Sequence, residues 1–180
     1  MVSKIATVTR TDRLNSVKRS TLSIIYQPIG TIHSPFSSIE DMPIQPAGAL
    51  GVRGTVEVYA EFAEGLKDLD GFSHLVLLYH FHRAGPARLV VVPFLDKREH
   101  GVFATRAPTR PNPIGISVVE LLRVEGQVLH IQNVDILDGT PLLDIKPYVP
   151  QFDHFEVERT GWLQAAGGSA AEVKSDRRFG

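Results

Sequence analysis

Residues 101–115 read Gly101-Val-Phe-Ala-Thr-Arg-Ala-Pro-Thr-Arg-Pro-Asn-Pro-Ile-Gly115, and the organisation of the chain is best understood outward from them. A strand predicted over 101–105 ends in a loop that holds three prolines, and the next predicted strand begins at Ile114. Because proline fixes φ, the three prolines stiffen the loop and lower the conformational entropy that it has when unfolded. The stretch therefore predicts two strands joined by a rigid loop.

The same loop holds two arginines, Arg106 and Arg110. A guanidinium group binds a carboxylate or a phosphate through two parallel hydrogen bonds, so a rigid loop with two such groups suits an anionic ligand. The alternative is a stiff turn with two solvated arginines. We favour the ligand, because a structural turn rarely needs so many fixed positions.

A second polar stretch covers residues 135–148, which read DILDGTPLLDIKPY. Its Asp138-Gly139 pair is a turn signal. The carboxylate of that turn, the Thr140 hydroxyl and the free backbone amides suit a polar ligand. Asp144 and Lys146 alternate with apolar residues, so they share one strand face and are interpreted as an ion pair.

The rest of the chain is rich in extended segments. Alternation of apolar and β-branched residues predicts strands, and one short helix is predicted over 60–69. Glu125-Gly126 is predicted as the two-residue turn of a hairpin. The predicted strands cover 23–33, 54–59, 72–82, 88–94, 101–105, 114–124, 127–133 and 142–146, with an edge element over 155–163.

This order of elements points to an all-β fold. There is no strand–helix–strand rhythm and no Gly-x-Gly-x-x-Gly fingerprint, so a doubly wound nucleotide-binding sheet is not indicated. The pattern instead predicts a barrel or a sandwich. Residues 34–51 are rich in Pro, Ser and Gly, and a loop of that length in a compact domain is usually functional or disordered.

Length and composition bound the domain organisation. The 180 residues, 43% hydrophobic and 22% charged, suit one globular domain, which is predicted over 21–163. Residues 1–20 are basic and lack the apolar core of a secretion signal, so they are interpreted as a flexible basic leader. Residues 164–180 are small and polar, and they are predicted to form a disordered tail.

Charge and residue usage exclude several classes of function. No apolar run approaches the roughly 20 residues of a membrane span, and we expect a cytoplasmic protein. The formal net charge is −1, so any RNA contact must come from a local basic patch. The chain has no cysteine, which excludes disulfides, thiolate metal sites and a cysteine nucleophile.

Two histidines, His80 and His82, lie on one face of a predicted strand at a spacing that metal sites use. A cupin-type metal strand also needs a glycine six residues before His80, where this chain has His74. It needs a glutamate three or four residues after His82, and none stands there. We therefore expect no metal, and we assign the histidines structural or hydrogen-bonding roles, with His82 and Arg83 lining a site at the strand end.

The quoted stretches together resemble the TsaA-like family, also called the YaeB or VirR-type family. The resemblance lies in residues 101–115, in the DGTP run at 138–141 and in the DIKPY run at 144–148. The segments 28–35 and 72–74 extend it, so that it runs from about residue 27 to about residue 153. The run ATRAPTRPNPIG is long and specific, so the chain is similar to this family over nearly all of its predicted domain.

The resemblance implies a small antiparallel β-barrel that binds S-adenosylmethionine, unlike the Rossmann methyltransferases. It implies an S-adenosylmethionine-dependent tRNA adenine-N6 methyltransferase that acts on threonylcarbamoyladenosine at position 37. It also implies a homodimer with the cofactor near the subunit interface. The cofactor contacts carried over onto this sequence are Gln45, Pro46, Ala47, His82, Arg83, Arg106, Ile116, Asp138, Gly139, Thr140 and Pro141.

Two features depart from the family pattern. Many bacterial members have a second, C-terminal domain that assists tRNA binding, and we do not expect one here because only residues 155–180 follow the predicted core. Alanine stands at Ala107, where serine is common. The first departure leaves two alternatives open, a non-catalytic S-adenosylmethionine-binding regulatory module and a methyltransferase with an acceptor other than tRNA.

Candidate residues for the reaction follow from the chemistry of the acceptor. The lone pair of adenine N6 is delocalised into the ring, so a group that accepts the N6 hydrogen would make the nitrogen more nucleophilic. Asn112, on the rigid loop, is the first candidate and Asp138 the second. Substrate binding is predicted for Arg110 and Lys146 through charge, and for Tyr148 through stacking on a base.

Overall fold

The computed structural model describes residues 24–40, 42–165 and 173–180. The predicted leader and residues 166–172 of the predicted tail lie outside these ranges. Eight strands form in the described residues: β1 (Gly30–His33), β2 (Arg53–Val58), β3 (His74–His80), β4 (Val90–Val91), β5 (His100–Gly101), β6 (Ile114–Glu125), β7 (Val128–Gln132) and β8 (Thr140–Pro147). The helical elements there are short: α1 (Pro150–Asp153) and 3-10 helices at Pro46–Gly48, Ala60–Leu66, Leu69–Gly71, Val102–Ala104, Gly161–Ala165 and Arg177–Phe179.

Six of the strands close into an antiparallel barrel in the order β1-β2-β7-β6-β3-β8. The barrel closes because β1 pairs on its other side with β8, with Gly30 opposite Leu142 and Ile32 opposite Thr140. Strands β4 and β5 form a separate two-stranded sheet. The predicted all-β fold and antiparallel barrel are thereby confirmed.

The barrel interior is filled by apolar side chains from alternate positions. On β3 the buried residues are Leu75, Leu77 and Tyr79, and on β6 Val119 and Leu121 face them. Strand side chains alternate between the two faces, so each strand gives every second residue to the core. A small barrel filled in this way has no room for a ligand inside, so a site must lie at an end or on the outer wall.

The two ends of the barrel differ. At the end that we call the hairpin end, β6 and β7 are joined by Gly126 and Gln127, and β2 leads to β3 through residues 59–73. At the opposite end, which we call the loop end, the connections are 34–52, 81–113 and 133–139. The loop end therefore has most of the polar stretches identified in the sequence.

The hairpin turn lies one residue later than predicted. Glu125 pairs with Val128, so the two turn residues are Gly126 and Gln127. Gly126 has φ +60°, which glycine adopts without the clash that a Cβ would cause. The prediction of a two-residue turn is confirmed, but the predicted position of the turn is wrong by one residue.

Two predicted extended segments are shorter than expected, and a third does not form. Strand β1 begins only at Gly30, and in the preceding segment Ile25 is 88% exposed. The strand predicted over 88–94 contracts to Val90–Val91. The edge element predicted over 155–163 does not form, because the closed barrel leaves no edge for it to join.

Two further predictions of secondary structure differ in outcome. The short helix predicted over 60–69 is confirmed, and it is a 3-10 helix at Ala60–Leu66. The strand over 101–105 is a 3-10 turn at Val102–Ala104, because the Arg110 guanidinium binds the carbonyls of Val102 and Thr105 at 3.0 and 2.9 Å. Those carbonyls are turned towards the loop and not towards a neighbouring strand.

The disorder predicted from residue 164 onward does not hold for residues 173–180. Phe179 is 5% exposed and packs edge-on against Phe94, with ring centroids 5.1 Å apart. Arg178 covers the Phe94 ring at 4.7 Å, and the Ser175 amide donates to the Met42 carbonyl at 2.8 Å. This segment is ordered because its one aromatic residue is buried against the domain. The prediction missed this because most residues of the segment are small or polar.

Candidate functional site at the loop end of the barrel

Arg106 connects two loops of the loop end. Its Nη1 donates to Oε1 of Gln45 at 3.1 Å, across sixty-one positions of sequence. Gln45 immediately precedes the 3-10 helix Pro46–Gly48, which contacts β6 and has proline at its first position, where no amide hydrogen is needed. The predicted cofactor contacts Gln45, Pro46 and Ala47 thus lie on one short loop held next to Arg106.

His82 lies beside the start of β8. The Thr140 hydroxyl donates to the Leu137 carbonyl at 2.6 Å, which leaves its oxygen free to accept from His82 Nδ1 at 3.4 Å. Partial burial lowers the pKa of His82, and the positive charge of Arg83 lowers it further. His82 is therefore a neutral hydrogen-bonding group near pH 7, while Arg83 is exposed.

The carboxylate of Asp138 is engaged within the protein. It accepts from the Ser34 amide at 3.1 Å and lies 3.3 Å from Nδ1 of His33. The next residue, Gly139, has φ +72° and completes the predicted turn. Pro141 follows in the β1–β8 pairing, opposite Thr31. These contacts fix the 138–141 turn against the end of β1.

Arg110 is held by the loop from which it projects. Its Nη1 donates to the carbonyls of Val102 and Thr105, and its guanidinium lies 5.7 Å from the centre of the exposed Phe103 ring. The Arg110 guanidinium, which the sequence predicts to bind substrate, is therefore hydrogen-bonded to main-chain carbonyls of its own loop. In this arrangement Arg110 stabilises the 102–110 turn.

Asn112 is exposed just before β6. Its carbonyl accepts from the Ile114 amide at 2.8 Å, and the Pro113 carbonyl accepts from the Phe81 amide at 2.8 Å. Both carbonyls that could accept an N6 hydrogen are thus already bonded within the protein. The Asn112 side chain remains on the surface of the loop end.

Ile116 lies on the outer wall of the barrel and not in its interior. It is 49% exposed and pairs with Leu78 of β3. It can contact a ligand only from outside the barrel, next to the 3-10 helix Pro46–Gly48 that packs on β6.

Lys146 and Tyr148 lie at the other end of the molecule. Lys146 Nζ is 2.7 Å from Asp144 on the same strand, and the Tyr148 amide donates to the His74 carbonyl at the start of β3. With about 3.3 Å per strand residue, Lys146 is roughly 20 Å along β8 from Thr140. The structure does not bring these two residues to the loop end.

A buried polar chain at the loop end was missed in the sequence. The Ser117 hydroxyl donates to Oδ1 of Asp135 at 2.6 Å, and the Tyr79 hydroxyl therefore donates to Ser117 at 3.0 Å. Ser117 and Tyr79 are 2% and 5% exposed. The available signal was Ser117 itself, a polar residue at an inward position of a strand whose other inward residues are apolar.

The ionisation of this chain reflects its burial. Burial raises the pKa of Asp135 to about 6, against the opposing effects of the Ser117 hydrogen bond and of the Arg106 charge. Burial also raises the pKa of Tyr79, which stays protonated as a donor. Near pH 7 Asp135 is therefore mostly an anion in a poorly solvated position.

The rigid-loop motif ends in a glycine for a steric reason. A Cβ on Gly115 would lie 2.2 Å from the Tyr79 ring, so only glycine lets that ring pack over the start of β6. Gly115 thereby fixes the position of Tyr79 and, through Ser117, of Asp135.

Among the residues of the described ranges, no group of three His, Asp or Glu side chains is arranged to hold a metal ion. Within the same ranges no helix has the length and apolar character required to cross a bilayer.

The family model for the tRNA-methyltransferase O N-terminal domain matches residues 31–154. A Pyrococcus abyssi protein named as a probable S-adenosyl-L-methionine-binding protein is 58% identical over 158 residues, which are 88% of this chain and 86% of that protein. A Rattus norvegicus protein named tRNA (adenine(37)-N6)-methyltransferase is 34% identical over 85% of this chain.

Solved structures agree with the sequence comparison. The crystal structure of TrmO from Pseudomonas aeruginosa superimposes with a TM-score of 0.66 at 42% identity, over 78% of this chain and 62% of that one. The aligned region is 38% of the rat protein. The chain thus spans less than two thirds of the length of both, and the barrel is the part that they share.

Proposed function

The chain belongs to the family of the tRNA-methyltransferase O N-terminal domain, and from that premise we propose that it methylates N6 of threonylcarbamoyladenosine at position 37 of tRNA with S-adenosylmethionine as methyl donor. The observation that supports this most directly is the convergence of Gln45, His82, Arg106 and Thr140 at the loop end. These residues form two pairs, Gln45 with Arg106 and His82 with Thr140, which come from two connections and the first residue of β8. The packing of the barrel core does not require either pair.

The residues at the loop end fit this cofactor chemically. S-adenosylmethionine supplies a methyl group on a positively charged sulfur, together with a carboxylate, an ammonium group and an adenosine. The Arg106 guanidinium suits the carboxylate, and the buried Asp135 carboxylate suits a positive charge. Neutral His82, which is held by the buried Thr140 hydroxyl, offers a hydrogen bond to an uncharged group of the adenosine.

The part played by these residues in the reaction is alignment. Methyl transfer needs the nucleophile, the methyl carbon and the sulfur in line, and holding them so is a proximity effect. Arg106, the 45–47 loop and the 138–141 turn would fix the methyl donor. Asn112 is available at the rim, since its side chain is exposed.

We propose a homodimer formed through the outer wall of β3 and β6. Val76 pairs with Val118, and Leu78 with Ile116, so a stripe of apolar side chains runs along the outside of this strand pair. Ile114 and Ile116 are 37% and 49% exposed there. A second copy covering the stripe would place Ile116 and the cofactor next to the interface. Ile116→Asp should then convert a dimer into a monomer in light-scattering chromatography.

The acceptor is tested by mass spectrometry of position-37 nucleosides, after incubation of the protein with S-adenosylmethionine and tRNA that contains threonylcarbamoyladenosine. We expect a gain of one methyl group, lost in Arg106→Ala. Bound cofactor with no methyl gain would refute the proposed acceptor and favour another acceptor or a non-catalytic binding module. A tRNA substrate implies the cytoplasm as the place of action.

A further inference from the structure

Asp135 is a partly buried acid to which the proposed function gives no part in the transfer step itself. Its carboxylate accepts the Ser117 hydroxyl at 2.6 Å, and none of the ion pairs formed within residues 24–40, 42–165 and 173–180 includes it. Its neighbours in sequence, Val134 and Ile136, are 0% and 2% exposed. The acid therefore lies between two core residues, and hydrogen bonds from Ser117 and from a backbone amide orient its carboxylate.

A carboxylate in such a position is costly unless a positive charge is near. Burial disfavours the anion, and this is why the pKa of Asp135 is raised to about 6. Arg106 offsets part of the cost, but its guanidinium is hydrogen-bonded to Gln45. A ligand that brings a positive charge to the loop end would remove most of the remaining cost.

On the basis of the proposed function, we propose that the Asp135 carboxylate faces the transferring methyl group of S-adenosylmethionine and accepts the proton that the attacking nitrogen releases. The lone pair of that nitrogen forms the new N–C bond, and the electrons of the C–S bond stay on sulfur. The N–H electrons stay on nitrogen, and the proton forms an O–H bond to Asp135. Water then removes this proton.

Charge balance between the sulfur and Asp135 supports this role. Before transfer the site would hold one positive charge, on sulfur, and one negative charge, on Asp135. After transfer the sulfur is neutral and Asp135 is a neutral acid. The summed charge of the sulfur and Asp135 is zero in both states, so the transfer itself leaves neither group as an unpaired ion. A base also works best when its pKa lies near the working pH.

The surroundings of Asp135 keep it in place for this task. Ser117 of β6 orients one oxygen, and Tyr79 of β3 in turn fixes Ser117. The charged or titratable groups acting on it are Tyr79, which stays protonated, and Arg106, which stays positive. Asp135 itself is only partly buried, so the nucleobase that receives the methyl group can reach it from the loop end.

The first test needs no tRNA. Calorimetry at pH 8 would give the dissociation constants of S-adenosylmethionine and of S-adenosylhomocysteine, which lacks the methyl group and the positive charge. For Asp135→Asn we expect at least tenfold weaker binding of the charged cofactor and less than twofold change for the neutral one. Asp144→Asn, an acid of β8 paired with Lys146, is the matched control and should change neither.

The second test is the single-turnover rate of tRNA methylation at saturating cofactor and tRNA. The wild-type rate should rise with pH until Asp135 is ionised and then level off. Asp135→Asn should lose at least a hundredfold in rate, the range typical of a general base, and with it the pH dependence. Ser117→Ala keeps the carboxylate and should move the inflection to higher pH.

The outcomes separate this inference from the proposed function. If the wild type methylates tRNA and Asp135→Asn keeps its rate within threefold, the inference is overturned. Equal weakening of both cofactors would also overturn it, since that is the mark of a merely structural residue. If the wild type methylates no tRNA, yet Asp135→Asn selectively weakens the charged cofactor, the acceptor proposal fails and the place of Asp135 beside the methyl group stands.

Discussion

The hairpin end and the loop end of the barrel connect strands of the same sheet, and they do so in opposite ways. At the hairpin end two residues suffice between β6 and β7, and nearby the exposed Glu125 pairs with both Arg123 and His130. At the loop end the connections are long and meet through Gln45, Arg106, His82 and Thr140. The hairpin end includes one connection that is as short as strand geometry permits, whereas the long connections of the loop end carry polar contacts between distant parts of the chain.

This difference predicts that residues at one end affect mainly stability, whereas residues at the other end affect mainly ligand binding. Substitutions at the hairpin end should change the free energy of unfolding and leave ligand binding intact. Substitutions at the loop end should change binding, and where they touch the Tyr79–Ser117–Asp135 chain they should change both. The following experiments test that division in order of decreasing effect.

Gly115→Ala should be the most damaging of the changes tested in this series. The added Cβ would lie 2.2 Å from the Tyr79 ring, and relief of that overlap costs about 1–3 kcal/mol of unfolding free energy. Denaturant unfolding measures the loss. Gly101→Ala, where a Cβ meets open space, is the matched control and should be nearly neutral. Equal midpoints for the two variants would show that the Tyr79 ring is not fixed there.

The buried acid should make stability depend on pH. The pKa of Asp135 is raised to about 6 in the folded protein, so folding favours its protonated form. The protonated Asp135 therefore contributes to the free energy of unfolding below the pKa that the group has in the unfolded chain. This stabilisation is lost as pH rises through about 6, and its amplitude is on the order of 2 kcal/mol. The measurement is the difference in unfolding free energy between wild type and Asp135→Asn from pH 4 to 8. A difference that is constant with pH would contradict the prediction.

Arg106→Ala should weaken S-adenosylmethionine binding at least tenfold, which is about 1.4 kcal/mol, because it removes both the guanidinium and the bond to Gln45. Calorimetry measures the affinity. Arg123→Ala removes an arginine from the hairpin end and serves as control, with affinity expected within twofold of wild type. Similar losses in both variants would mean that overall charge, and not the loop end, governs binding.

Gly126→Ala should cost about 1 kcal/mol, since φ +60° is unfavourable for a residue with a Cβ. Cofactor affinity should not change, because the turn lies at the hairpin end. Gly65→Ala, in a 3-10 helix with open space around it and no positive φ, is the control and should be neutral or slightly stabilising. A change in affinity for Gly126→Ala would break the division between the ends.

Lys146→Ala should have the smallest effect. Its ion pair with Asp144 is exposed, with side chains 61% and 43% accessible, so we expect less than about 0.5 kcal/mol in stability. The methylation rate should also stay unchanged, because Lys146 lies away from the loop end. A marked loss of tRNA affinity, measured by filter binding at two salt concentrations, would instead support the substrate role predicted from the sequence.

The sequence predicts the barrel better than the site, and the reason is physical. Strand positions alternate between core and surface, so a run such as β6 shows its structure locally, from Ile114 to Glu125. The meeting of Gln45 with Arg106 depends on where two long loops fold, which no local pattern encodes. The role of Arg110 could not be predicted from the sequence. An arginine that binds carbonyls of its own loop looks the same in the sequence as an arginine that binds a ligand.

The barrel is a ring, and its seam, the short β1–β8 pairing over residues 30–32 and 140–142, runs directly beneath the loop end. Thr140 stands on that seam and also touches His82. We expect the barrel to open first where its strand pairing is shortest. Heat or a protease would then abolish ligand binding while most of the β3–β6 and β6–β7 pairing was still intact. Loss of ligand binding should thus come earlier in denaturation than loss of the sheet.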